Sequence, residues 1–182
     1  MKINIIGASV SGTTTLAERI AVHLGFVHLD SDEYFWEKTE EPFEKRRDPE
    51  LRNSLLDAAI ESNMDIVLSG PFFHWNDDFT DVFNLVIFLY VPQDIRMNRL
   101  RRREYERYGD AVETNELKKM KYQAFMEWAA SYDDPLFEST RTLHQQREWL
   151  DSLQIPILKI EGNYLLEPST AVCLDKIKQM TS

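Results

Sequence analysis

Along the chain, short apolar runs alternate with stretches whose apolar residues recur at helical spacing. Ile3-Asn4-Ile5-Ile6 is mostly β-branched and closes on Gly7, which predicts a first strand. From residue 13 to 24, Leu16, Ile20 and Leu24 share one helical face, and Gly25 stands where a C-terminal cap belongs. Residues 26–29 read as a second strand. A polar and aromatic stretch follows, then a helix over about 48–62 with Leu51, Leu55, Ala58 and Ala59 on one side. Residues 65–68 and 85–91 are nearly continuous apolar runs, the pattern of parallel strands covered on both faces. Pro92 opens a basic helix that runs to about Tyr108. Further helices are predicted near 114–131, with Leu117, Met120, Ala124 and Trp128 at helical spacing, and near 138–153. A last strand spans 155–160 and a closing helix 167–180. Five strands alternating with helices predict an α/β fold, three layers around a mainly parallel sheet. With no internal repeat and no low-complexity linker, residues 1–182 are expected to form a single domain.

Between the first strand and the first helix lies Gly7-Ala8-Ser9-Val10-Ser11-Gly12-Thr13-Thr14-Thr15. Its glycines are spaced as in the phosphate-binding loop G-x-x-x-x-G-K-[ST], with Thr13 in place of the lysine. Thr14 fills the position whose hydroxyl holds Mg²⁺. Strand, loop and helix in that order are what such a loop requires, because its backbone N–H groups and the helix N-terminus cradle phosphates. A βα turn that uses glycine for geometry alone is the plainer alternative. Directly after the second strand, Asp30-Ser31-Asp32 puts two carboxylates where open α/β sheets bind ligands. The same residue types also cap helices and build turns.

Charge adds a contrast. The formal net charge is −10, which argues against nucleic-acid partners and anionic membrane surfaces. Yet Arg96, Arg99, Arg101, Arg102, Arg103 and Arg107 fall within twelve residues. Arg96, Arg99, Arg103 and Arg107 share a helical face that could point at phosphates, the alternative being a solvated helix paired with acidic neighbours. Arg46 and Arg47, the run Tyr34-Phe35-Trp36, Gly70 and the run Phe72-Phe73-His74-Trp75 are candidates for an acceptor pocket, or the aromatics pack under loops. The single cysteine, Cys173, excludes an internal disulfide, fits a reducing compartment and reads as a small core residue. No apolar run reaches bilayer length and the start does not read as a signal peptide, so a cytoplasmic monomer or homodimer is expected.

On these residues the sequence resembles the adenylate kinase and shikimate kinase group of small P-loop kinases. More closely, it is similar to bacterial adenylate-kinase-like proteins with Gly-Thr-Thr-Thr in the loop, here Gly12 to Thr15. Asp30-Ser31-Asp32 resembles the acceptor-side D-x-D of shikimate kinase. Leu89-Tyr90-Val91-Pro92 with Arg99 to Arg103 is similar to the strand and arginine-bearing lid, and Ile160-Glu161-Gly162-Asn163 to the loop near the nucleotide base. The resemblance implies ATP or another NTP held by residues 7–15, Gly162 and Asn163, with Mg²⁺ at Thr14 and Asp30. It implies Asp30, Arg99, Arg102 and Arg103 as catalytic groups, the arginines belonging to a lid over about 96–113. Asp32, Trp36, Arg46, Arg47 and Gly70 would face the acceptor, with an acceptor-binding segment over about 33–64. Val10 departs from the glycine usual in these loops, and Thr13 from the lysine. The implied activity is transfer of the γ-phosphate of ATP to a nucleotide or small metabolite. The alternatives are a catalytically weak nucleotide sensor, favoured by Thr13, and an NTP hydrolase coupled to a partner.

Overall fold

The computed structural model describes residues 1–75, 82–139 and 141–181. Its centre is a sheet of β1 (Lys2–Gly7), β2 (Val27–Asp30), β3 (Ile66–Ser69), β4 (Leu85–Tyr90) and β5 (Ile157–Glu161), in the order β2-β3-β1-β4-β5. Every neighbouring pair is parallel, with Ile5 opposite Ser69 on one side of β1 and Ile87 on the other. The helices are α1 (Thr13–Leu24), α2 (Ser31–Phe35), α3 (Pro49–Glu61), α4 (Gln93–Tyr108), α5 (Ala111–Thr114), α6 (Glu116–Ala130), α7 (Leu143–Ser152) and α8 (Leu166–Thr181).

Side chains leave a strand alternately to its two faces, and both faces of this sheet are covered. Ile3, Ile5, Val67, Leu85, Ile87 and Leu89 meet Leu16 and Ile20 of α1 and Cys173 and Ile177 of α8. On the opposite face, Ile66 and Leu68 meet Leu56 and Ile60 of α3, while Ile6, Val86 and Phe88 meet Leu150 of α7. Each fully buried aliphatic side chain of this kind contributes about 1.5–3 kcal/mol. Two-sided burial is why the strands read as unbroken apolar runs. Cys173 is fully buried, as its neighbours in sequence indicated. No helix among the described residues is long and apolar enough to cross a membrane.

Two helical faces differ from the sequence expectation. In α3 the row turned to the sheet is Arg52, Leu56 and Ile60, whereas Leu51 and Leu55 are exposed. An arginine occupies the inner row because its guanidinium carbon stands over the Trp75 ring, 4.1 Å from the centroid, a contact that replaces water on that face. In α6 Leu117 and Met120 are exposed, Ala124 lies on the outer side with them, and the helix packs on α4 through Phe125, Met126, Trp128 and Ala129.

Where α4 leaves the sheet, Arg96 is fully buried. Its Nε donates to the Val91 carbonyl at 3.0 Å, Nη1 donates to the Ala129 carbonyl at 3.2 Å, and Nη2 pairs with Asp133. The guanidinium also lies 4.8 Å from the centre of the Tyr132 ring. One planar cation thus joins the end of β4, the start of α4, the end of α6 and the turn at Ser131–Asp133. A guanidinium is stable out of water only when its donors are matched in this way. Arg96→Ala should therefore cost about 3–5 kcal/mol, measured as a lower urea midpoint at unchanged slope. Arg96→Lys should recover only part of that loss, because an ammonium cannot serve three divergent acceptors in one plane.

Candidate active site

The chain leaves β1 through α1 for β2 on one side of the sheet and leaves the neighbouring β4 for β5 on the other, so a cleft opens between the carboxyl ends of β1 and β4. The loop of residues 7–12 lies there. A Cβ on Gly7 would sit 2.5 Å from the Leu89 carbonyl oxygen and 2.5 Å from Ser11 Oγ, so only glycine fits. Ser11 N–H closes the loop on the Ala8 carbonyl at 3.1 Å. Gln146 Nε2 donates to the Gly7 carbonyl at 3.3 Å, and the Tyr164 hydroxyl donates to the Ser11 carbonyl. Gly12 is the N-cap of α1 in a left-handed conformation, and no side chain caps the helix. The first-turn amides at Thr13, Thr14 and Thr15 have no carbonyl of their own helix to bond, and the helix dipole favours an anion there. Ser11 Oγ is buried without a partner beside them. Ala8 is buried, while Ser9 and Thr13 are half-buried.

Val10 has φ 58°, a conformation costing a β-branched residue about 1–3 kcal/mol. Its side chain packs against the cluster of Met97, Leu100 and Ala129 that joins α4 to α6. Apolar burial against the lid offsets the backbone strain. Glycine would avoid the strain and lose the contact.

Thr14 Oγ1 donates to Asp30 Oδ2 at 3.0 Å, joining the head of α1 to the end of β2. The other oxygen of Asp30 accepts from Asp32 N–H at 2.9 Å and caps α2. A hydroxyl and a carboxylate side by side at a helix start fit Mg²⁺, which takes few protein oxygens and fills its octahedron with phosphate and water. No cluster of three or more His, Cys, Asp or Glu side chains suited to a metal occurs among the described residues.

Beyond α2 lies a second wall. Arg141 Nη1 is 3.6 Å from Asp32 Oδ1, and its Nη2 is buried with no hydrogen-bond partner. Arg52 is 9% exposed and forms no ion pair with any carboxylate of the described residues; its Nε donates to Asn53 Oδ1 at 2.9 Å. The Arg141 and Arg52 guanidinium carbons stand 4.9 and 5.9 Å from the centre of the Phe35 ring. Burial, then the nearby charge of Arg141, pulls the Arg52 guanidinium below its ordinary range. Asp32 keeps 47% of its side-chain surface open, but the protein enclosing it still disfavours the charge. Burial pushes its pKa above 3.8, Arg141 opposes that shift, and Asp30 adds to it. Gly70, at the end of β3 with φ 88°, passes so close to α2 that a Cβ would lie 2.1 Å from Ser31 Oγ. Neither Arg52 nor Arg141 was anticipated. An arginine in the i, i+4 row of Leu56 and Ile60 was the available signal for Arg52. Arg141 precedes the helix cap Thr142 and carried none.

The other acceptor-side candidates divide. Trp36 stands edge-on to Phe35 at 4.9 Å and bridges Arg46 through the backbone, and the Arg46 guanidinium carbon is 5.8 Å from the Phe35 ring centre. Arg47 is committed elsewhere. It donates to the carbonyls of Tyr34, Glu33 and Trp36 at 2.8, 3.2 and 3.0 Å, bracing the end of α2. Phe72 and Phe73 are buried against Trp149, while Trp75 is half-buried between Phe35 and Arg52.

Along α4 the arginines reach different partners. Arg99 Nη2 donates to Asn163 Oδ1 at 3.2 Å and lies 5.9 Å from the Tyr164 ring centre, next to Gly162 on the nucleotide side of the loop. Arg103 turns inward, 3.2 Å from buried Glu104, close enough for its charge and that of Asp32 to act on each other. Arg102 does not join them. It is 82% exposed, pairs with Glu106 at 2.7 Å, and lines an outer groove with Tyr105, Val112 and Tyr122. Arg96, on the same row as Arg99 and Arg103, is consumed by the buried network described above.

A family model described as an AAA domain matches residues 3–121. The uncharacterized protein YqaC of Bacillus subtilis (strain 168) is 41% identical over 162 residues, 88% of either chain. Among solved structures, shikimate kinase from Bacteroides thetaiotaomicron superposes with a TM-score of 0.59 at 21% identity over 98% of both chains. Shikimate kinase from Aquifex aeolicus gives 0.56 at 17% identity, over 100% of this chain and 98% of that one. A sugar kinase from Janibacter sp. HTCC2649 gives 0.52 at 12% identity, over 97% and 94%. At such identities the likeness is one of fold, and that fold is the all-parallel P-loop α/β arrangement described above. Together with the glycine loop at the start of α1, the match over residues 3–121 shows that the chain belongs to the AAA domain family of P-loop proteins.

Proposed function

We propose that the protein is a phosphotransferase that moves the γ-phosphate of ATP, or another NTP, to a hydroxyl of a small acceptor carrying an anionic group. The observation that carries this reading is the placement of Asp32, Arg52 without an ion pair among the described residues, and Arg141 with one unbonded nitrogen beside the Thr14–Asp30 pair. A buried guanidinium N–H without a partner costs about 1–3 kcal/mol, a loss that a carboxylate or phosphate of the acceptor would recover. The resemblance to small P-loop kinases and the kinase names of the structural neighbours support the same reading.

In this reading the loop amides and the start of α1 hold the nucleotide phosphates. Thr14 and Asp30 would hold Mg²⁺, which when bound neutralises charge on those phosphates. Asp32 accepts the proton of the acceptor hydroxyl, and Arg52 and Arg141 fix the acceptor's anionic group. Arg103 supplies positive charge from the lid, and Arg99 with Asn163 lies toward the base. A cation matters here because Thr13 offers only a neutral hydrogen bond where lysine offers a charged one, roughly half the strength. Thr13 also sustains the second reading, a nucleotide sensor with little turnover.

Incubation with ATP, Mg²⁺ and a panel of hydroxylated carboxylates, sugar phosphates and nucleotides separates the two. ADP formed only with one acceptor class supports the kinase; binding without turnover for every acceptor supports the sensor. Arg52→Ala and Arg141→Ala should each raise the acceptor KM at least tenfold, about 1.4 kcal/mol, with nucleotide affinity unchanged. Asp32→Asn should lower kcat while leaving ATP binding intact. Because the Asp32 pKa is raised, its carboxylate form is lost at higher pH than in a free aspartate. The acid limb of the wild-type kcat profile should therefore lie above pH 3.8. Arg103→Ala should lower turnover by about 10²–10³, as when a preorganised transition-state donor is removed. Thr13→Lys should bring little gain. A large gain from Thr13→Lys with Arg103 dispensable would sustain the sensor instead.

A further inference from the structure

The turn after β5 sends one aromatic side chain back to the phosphate loop. Gly162, at φ 102°, reverses the chain, and its N–H donates to the Tyr90 carbonyl at 2.9 Å, so the turn is fastened to the end of β4. Shortly after, α8 begins at Leu166 and packs Cys173 and Ile177 against Leu16 and Ile20 of α1. Tyr164 stands between these two fixtures, its ring packed against the same cluster. Its hydroxyl donates to the Ser11 carbonyl and comes so near Gly12 that a Cβ there would lie 3.7 Å away. The peptide bond is planar and trans, so a carbonyl and the N–H of the next residue point in opposite directions. Turning the Ser11 carbonyl to Tyr164 therefore turns Gly12 N–H away from it. No acceptor among the described residues takes up that N–H. It lies directly before the first-turn amides of Thr13, Thr14 and Thr15 at the head of α1.

We propose that Tyr164 is a positioning residue of the phosphate loop: its hydroxyl holds the Ser11–Gly12 peptide in the orientation that offers Gly12 N–H to a nucleotide phosphate. This rests on the reading of residues 7–15 as the site of the nucleotide phosphates. The loop needs such a hold. Glycine has wide conformational freedom, and Gly12 sits at φ 95° with no side chain capping the helix. Without a partner for the Ser11 carbonyl, that peptide would be free to rotate and turn a carbonyl oxygen, with its partial negative charge, toward the phosphate. Tyr164 suits the task chemically. Burial pushes its hydroxyl above its ordinary range, against the nearby charge of Arg99, so it stays a protonated donor. Gln146 performs the matching task where the loop leaves β1, donating to the Gly7 carbonyl. Both holds come from outside the loop, 139 residues later in the chain for Gln146 and 153 for Tyr164. Tyr164 brings no charge, so it shapes the loop and leaves the missing cation at Thr13 to the arginines.

Tyr164→Phe removes the hydroxyl and keeps the ring with its packing. Titration calorimetry with the Mg²⁺ salts of ATP and of inorganic triphosphate reads the loop directly. Both affinities should fall by the same factor, about tenfold, the scale of one hydrogen bond to a charged group. In the unaltered protein, backbone amide NMR should show the Gly12 proton moving downfield as inorganic triphosphate is added, the sign of a new hydrogen bond to an anion. In Tyr164→Phe that movement should shrink at saturation. Shift differences between the two unliganded proteins should be confined to residues 7–15 and 162–166. Weaker ATP binding with triphosphate binding unchanged would overturn the assignment, since the hydroxyl would then serve the base or the sugar. Equal affinities in the two proteins would overturn it as well, and so would shift differences spread through the sheet, which mark a general loosening. The NMR titration of the unaltered protein needs no variant, and a Gly12 amide that stays in place with triphosphate bound would overturn the assignment even if Tyr164→Phe failed to fold. Absence of binding of either compound to the unaltered protein would overturn the loop as a phosphate site and the role of Tyr164 together. None of these readouts depends on turnover or on the acceptor.

Discussion

Parallel pairing puts the carboxyl ends of all five strands on one edge of the sheet, and the rest of the site depends on that constraint. Gly7, Asp30, Gly70, Val91 and Gly162 come from distant parts of the sequence, yet each lies at or just beyond a strand end. Because the connections from the neighbouring strands β1 and β4 leave in opposite directions, the edge also parts into a cleft between their ends. The hydrogen bond between Thr14 and Asp30 then joins the head of α1 to the end of β2, and Asp30 positions Asp32 through one further backbone bond. Two hydrogen bonds place a carboxylate next to a phosphate loop.

The parts of this arrangement that follow from local pattern were legible in the sequence. Two-sided burial made the strands plain, and the spacing of Gly7 and Gly12 marked the loop. The end of β2 marked Asp30 and Asp32. What the sequence concealed was long-range pairing. An arginine looks the same in sequence whether it is a buried strut, as Arg96 is, a brace on carbonyls, as Arg47 is, or a solvated partner of glutamate, as Arg102 is. Helical spacing puts Arg96, Arg99, Arg103 and Arg107 on one face, but the height at which each meets its neighbour decides its partner. The inner face of α3 was misread for a related reason. Apolarity alone favoured Leu51 and Leu55, and only the Trp75 ring, brought by another loop, explains why Arg52 turns inward.

The distribution of charge sharpens this picture. A chain of net charge −10 keeps Arg52 without a carboxylate partner and leaves one nitrogen of Arg141 unbonded inside the protein. Carboxylates are abundant elsewhere, yet on this wall Asp32 alone pairs with an arginine among the described residues. On the lid the reverse holds, and Glu104 is drawn inward to hold Arg103 and Arg107 at 3.2 and 3.8 Å. The phosphate loop is tied to the same lid by an apolar contact, since Val10 holds its strained backbone against the α4–α6 cluster.

Arg96 has a mechanical consequence. By fixing the root of α4 to β4 and to the end of α6, it sets the angle at which these two helices leave the sheet as a packed pair. At about 1.5 Å of rise per residue, Arg99 stands only one turn above the anchor, whereas Arg103 and Arg107 stand two and three turns out. Displacement grows with distance from the anchor. A substitution at position 96 that tilts α4 would therefore displace Arg107, at Phe43, more than Arg99, at Asn163.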